Sequence, residues 1–134
     1  MPKPETPDPA RMLPLTPVVF SILLALSHSE KHGYAIMKEA SLPEGGAVKM
    51  GPGTLYGSLD RMMQSGLVEE TGLTDNERRR YYRLTRFGQK VLSAEADRLA
   101  HLTTAARRKG LLQGSSGKPS RSAPGKPVPE GTGL

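Results

Sequence analysis

Apolar and polar positions follow different periods along the chain. From Val18 to Leu26 nearly every residue is apolar, broken only by Ser21. A helix apolar on all sides is a buried one. Thr16-Pro17 in front of it is a start signal: the threonine side chain caps free backbone N–H groups, and proline fits a first turn where an N–H has no partner. Ser27, His28 and Ser29 end the run. His32-Gly33-Tyr34 opens a second, shorter helix with apolar positions at Ala35, Ile36, Met37 and Ala40, which stops near Ser41-Leu42-Pro43. The stretch SLPEGGAV reads as a loop by its proline and glycines. A third helix begins at Pro52. Leu55, Leu59 and Met62, with Met63 beside them, share one face at i, i+4, i+7 spacing. Gly53, Thr54, Gly57, Arg61 and Gln64 fall opposite, with Tyr56 and Ser58 at the borders. Gly66 is a natural stop, after which Leu67 can fold back on the last turn.

The period then changes. LVEETGL and RRYYRLT have strand character, and TDNER between them predicts a β-hairpin. Tyr82 and Leu84 share one parity and face in; Arg79, Tyr81 and Arg83 share the other. The tip carries Asn76, Arg78, Arg79 and Arg80. Thr85 can cap a last helix running to about Lys109, where Gly110 stops it. At 1.5 Å per residue that helix is about 36 Å long, more than so small a domain can cover. Leu92, Ala96, Leu99, Leu102 and Ala106 form a stripe along it. An exposed apolar stripe needs a partner, and the same helix in a second subunit supplies one. The fold class expected is therefore mainly α with a small β-hairpin, a winged helix-turn-helix followed by a long dimerisation helix.

Composition sets the boundaries. Residues 1–14 are rich in proline and charge and are expected to be a disordered lead. Residues 15–85 hold the winged-helix pattern and 86–112 the last helix. Residues 113–134 are almost entirely Gly, Ser, Pro and basic, and read as a flexible tail. With 134 residues the length prior is one domain. There are 19 Lys and Arg against 13 Asp and Glu, a formal charge of +6, which suits a polyanion. The absence of cysteine excludes disulfides and thiolate metal sites. The Val18–Leu26 run is far short of the roughly 20 residues a membrane span needs. MPKPETPDPARMLP has no apolar region after a basic start, so no secretory leader is expected, and a cytoplasmic location follows.

Four segments in this order resemble one family: LTPVVFSILLAL, then HGYAI, then GPGTLYGSLDRMMQSGLV, then RRYYRLTRFG. Together they are similar to the PadR family of bacterial transcriptional regulators, over about Leu15 to Leu112. PGTLY and YYRLT are specific when they occur together at this spacing. The resemblance implies a dimeric DNA-binding repressor. Its third helix enters the major groove, its wing lies along the adjacent minor groove or backbone, and its C-terminal helix dimerises. The chain departs from the family at Gly51, where serine usually precedes the proline; glycine is an acceptable N-cap. A single helix and a tail also stand where the family often has a longer C-terminal domain.

On that resemblance the outer face of the third helix is the reading face. Thr54 and Ser58 can bond to base edges or phosphates, and Arg61 can reach a guanine edge or a phosphate. Tyr56 can pack partly and present its hydroxyl to a phosphate, and Lys49 is placed for the backbone. Three consecutive arginines, Arg78, Arg79 and Arg80, repel one another unless an anion is near, and arginine suits narrow minor grooves. Tyr34 and Lys38 on the second helix can touch phosphates; packing explains Tyr34 equally well. Met37, Met50, Met62 and Met63 suit core packing, and can also line a cavity for a small apolar or aromatic effector.

The expected partners are double-stranded DNA with two half-sites and a second copy of the chain. No cofactor, metal site or membrane is expected. His28, His32 and His101 are scattered, no catalytic constellation appears, and GPGTLYG lacks the lysine of a phosphate-binding loop. The alternative to a DNA regulator is a winged-helix adaptor that binds an acidic protein. Such an adaptor is expected to expose apolar residues on its wing, where this chain has arginines.

Overall fold

The computed structural model describes residues 7–75 and 79–112. Helix α1 spans Pro17–Ala25, and the Thr16 hydroxyl accepts from the Val19 N–H at 3.2 Å. Ser21, Ile22, Leu23 and Ala25 are buried, as a helix apolar on all sides demands. A two-residue strand, β1 (Lys31–His32), leads directly into α2 (Gly33–Ala40). The loop after α2 contains a 3-10 turn at Pro43–Gly45.

Helix α3 spans Pro52–Gln64, with Gly51 as an N-cap that offers no side-chain bond. It ends as the sequence predicts. Gly66 takes φ +79°, the Gly66 N–H bonds to the Met63 carbonyl at 3.1 Å, and the Leu67 N–H reaches back to Met62 at 2.8 Å. This paired closure needs a left-handed residue, which glycine adopts without a Cβ penalty. Leu67 is thereby carried into the core.

Strands β2 (Val68–Asp75) and β3 (Arg79–Leu84) pair antiparallel, with Val68 opposite Leu84 and Glu70 opposite Tyr82. The register shifts between Glu70 and Thr74, where Gly72 has positive φ. The sheet has three strands rather than the two expected, because β1 pairs with the free edge of β3 in the order β1-β3-β2. Two residues, Lys31 and His32, are too few to show an alternating pattern. Tyr82 is buried and Leu84 half-buried, on the inward parity.

Helix α4 spans Arg86–Arg108. The Thr85 hydroxyl accepts from the Gly88 N–H at 2.9 Å and the Thr85 N–H bonds to the Leu67 carbonyl at 3.1 Å, so the start of α4 is tied to the end of α3. Residues 7–97 form one compact unit, and residues 98–112 belong to a second. Within the first, Val91 and Leu92 join Ile22, Leu23, Ile36, Leu55, Leu59 and Met62 in one core.

The expected disordered lead is corrected at its C-terminal end. Residues 1–6 lie outside the described ones, but Pro9–Met12 form a 3-10 turn capped by Asp8, whose carboxylate accepts from the Ala10 N–H at 3.0 Å. Met12 and Leu13 pack against the core, and the Leu15 N–H donates to the buried Glu95 carboxylate at 2.9 Å. A charge-rich composition masked two apolar side chains with a place to go. The tail from 113 on lies outside the described residues. Among the described residues no helix is long and apolar enough to cross a membrane.

Candidate nucleic-acid interface

The apolar side of α3 fixes where its other side points. Leu55, Leu59 and Met62 are almost fully buried, leaving Gly53, Thr54, Tyr56, Asp60, Arg61 and Gln64 exposed. Thr54, Tyr56 and Arg61 are thus where the spacing predicts. Ser58 is not: it is 2% exposed. It lies three residues after Leu55 and four before Met62, so the helix turns it to the apolar side. Its hydroxyl accepts from Arg61 Nη2 at 3.4 Å. Ser58 therefore supports the exposed Arg61 from beneath, and its burial corrects the expectation that it contacts DNA.

Lys49 before α3 and Lys38 on α2 are exposed. Tyr34, at the start of α2, is 62% exposed and so is not a packing residue. Tyr56 is 45% exposed and lies over Gly33; a Cβ there would strike its ring and hydroxyl. Gly33 thus lets α3 and α2 approach closely.

The sheet arginines are exposed, and each meets a partner. Arg83 Nε bonds to Glu69 at 2.8 Å, which holds its guanidinium pKa further above the usual value. Arg80 Nε lies 3.5 Å from Glu70. Arg79 Nη1 lies 3.2 Å from His32 Nε2. Arg78 lies outside the described residues. Burial, with the Glu70 charge secondary, pushes the Tyr82 phenol above its ordinary value.

These elements enclose a cleft of about 380 Å³ lined by His32, Tyr34, Tyr56, Arg79, Arg80 and Tyr82. It joins the start of α2, Tyr56 of α3 and the sheet arginines Arg79 and Arg80. Sequence reasoning assigns His32 no contact. Its ring caps α2 through Nδ1, which faces the Ala35 N–H at 3.3 Å, and packs edge-on against Tyr81. A histidine before Gly-Tyr at a helix start was the available signal. A smaller cleft of about 210 Å³ lies among Met12, Leu15, Val19, Met62 and Leu67, with Arg61 at its wall.

On α4 the predicted stripe divides. Leu92 is 6% exposed and belongs to the protomer's own core, so it is corrected as a dimer contact. Ala96 and Leu102 are exposed; Leu99 and Ala106 are half-buried. Among the described residues no group of three His, Asp or Glu could hold a metal ion.

The arrangement is shared with known proteins. A PadR-like regulator from Bacillus cereus is 26% identical, with TM-score 0.59 over 73% of this chain and 93% of that one. A PadR family regulator from Clostridium difficile, 22% identical, matches 70% of this chain and 98% of its own, with TM-score 0.59, and speaks to the fold. An uncharacterized 37.1 kDa protein in transposon Tn4556 of Streptomyces fradiae is 37% identical over 82 residues, and the chain spans only 23% of its length. Residues 22–94, more than half the chain, match the transcriptional regulator PadR-like family as a whole. The chain belongs to the transcriptional regulator PadR-like family and has the winged-helix fold of its solved relatives.

Proposed function

We propose that the chain acts as a homodimeric, sequence-specific repressor that binds an operator of two half-sites in the cytoplasm. The observation that carries this reading is the shared cleft: Tyr56 of α3, Tyr34 at the start of α2 and the sheet arginines Arg79 and Arg80 border one opening, so tyrosine hydroxyls and guanidinium groups from three elements can meet one stretch of phosphate backbone. Thr54 and Arg61 read base edges. Tyr34, Lys38, Lys49, Tyr56 and the wing arginines Arg78, Arg79 and Arg80 take phosphates or the minor groove. Ala96, Leu99, Leu102 and Ala106 on α4 meet the same residues of a second copy, and the dimer's two-fold axis sets the half-site spacing. Repression follows from occupying a promoter. A small apolar or aromatic effector releases the DNA by favouring a dimer in which the two α3 helices no longer match the half-site spacing.

The test is sedimentation of the full chain with and without a duplex of its own upstream region, together with a footprint of that region. The expected result is a dimer that protects two separated half-sites. A monomer, or uniform protection along the duplex, would sink the proposal.

A further inference from the structure

The contact between His32 and Arg79 contains a conflict of donors. His32 Nδ1 faces the Ala35 N–H at 3.3 Å, and His32 Nε2 faces Arg79 Nη1 at 3.2 Å. A neutral imidazole has one acceptor nitrogen and one N–H, and guanidinium offers donors only. If Nδ1 accepts the helix cap, Nε2 carries the hydrogen and meets another donor. If Nε2 accepts from Arg79, the cap bond is lost. A protonated ring donates from both nitrogens and loses both contacts. No protonation state satisfies the pair, but an anionic acceptor placed between Nε2–H and the guanidinium does so while keeping the cap.

The surroundings fit such an acceptor. The two groups open into the cleft of about 380 Å³, which also presents Tyr34, Tyr56 and Arg80. Tyr56 keeps its hydroxyl beside the start of α2 because Gly33 has no side chain to displace it. Among the described residues Arg80 pairs with Glu70 at 3.5 Å, an exposed pair that a stronger anion can displace.

We infer that this cleft is a seat for one phosphate group, bound by His32 Nε2–H, Arg79 and Arg80, with tyrosine hydroxyls closing it. Assigning that phosphate to the DNA backbone rests on the function proposed above. The seat would lock the wing to the start of α2 when DNA is bound, fixing the distance between wing and α3.

The test uses the full chain and His32→Asn. Asparagine is a preferred N-cap, so α2 keeps its start while the Nε2 donor is removed. Tyr56→Phe is the second variant, which keeps the ring over Gly33. Two readouts are taken at fixed pH. In the first, inorganic phosphate is titrated at constant ionic strength while the His32 ring resonances, assigned by their absence in His32→Asn, are followed. In the second, affinity for a bound duplex is measured against salt. The expected result is a saturable shift of the His32 ring. Operator binding should weaken on the order of tenfold in His32→Asn, with the salt slope little changed, because the ring is neutral and Arg79 and Arg80 still neutralise the phosphate. A saturable shift with unchanged DNA affinity would assign the seat to a free phosphorylated molecule instead of the backbone. No shift and no change in affinity would overturn the seat while leaving DNA binding intact. If the wild type binds no duplex, the proposed function fails, and the phosphate titration alone decides the seat.

Discussion

Helix α3 and the wing are built in opposite ways. Helix α3 is positioned from below: Leu55, Leu59, Met62 and Ser58 are buried, and the outward residues point where the core directs them. The wing is positioned from the side. Its arginines sit on exposed strands: Glu69 holds Arg83 at 2.8 Å and Glu70 holds Arg80 at 3.5 Å, while Arg79 lies 3.2 Å from His32. Apolar burial is not exchangeable, whereas a surface ion pair is weak and yields to another anion. The difference teaches a division of labour. A rigid helix suits readout of base edges, which demands fixed geometry. Arginines held by replaceable partners suit phosphates, which are met at every step along the duplex.

The comparison can be broken most severely from the core. Leu59→Ala removes a side chain that is 1% exposed, and should cost about 2–5 kcal/mol in urea unfolding. It should abolish readout and attraction together, because both rest on the same fold. The paired change Arg79→Ala/Arg80→Ala is milder. It should leave stability nearly unaltered and weaken binding to operator and shuffled duplex alike, with the salt slope shallower by about 1 per phosphate lost. Arg61→Ala should do the reverse in kind: about 1–3 kcal/mol lost on the operator, with little change on shuffled DNA. Glu70→Gln frees Arg80 from its partner and should tighten binding to any duplex, by no more than about fivefold given what exposed pairs are worth. Smallest of all, Gly51→Ser supplies the missing cap of α3 and should stabilise the chain by about a few tenths of a kcal/mol in urea, with no change in specificity.

The same contrast governs how much was legible in the sequence. The four α-helices follow from apolar spacing and end signals that act locally: Thr16-Pro17, Pro52, Gly66 and Thr85 each work through their immediate neighbours. The outward placement of Thr54, Tyr56 and Arg61 follows from the same spacing. Features that depend on distant residues were not legible. Strand β1 exists because β3 offers an edge, and nothing in Lys31-His32 alone announces it. Ser58 sat at a border where a fraction of a helical turn decides between solvent and core. Leu92 belongs to a stripe whose start is used by the protomer itself, since α4 begins against Leu67. His32 meets Arg79 across 47 positions of sequence, and no local pattern reports that.

The central claim is that α3 confers sequence preference on a chain whose wing supplies general attraction. Its most direct test is titration of the full chain against a labelled duplex of its own upstream region and a shuffled duplex, each at two salt concentrations. At the higher salt the upstream duplex should still be bound while the shuffled one is lost. Equal, steeply salt-sensitive binding to both would contradict it: the arginines would then form an electrostatic patch, and α3 would read nothing in that region.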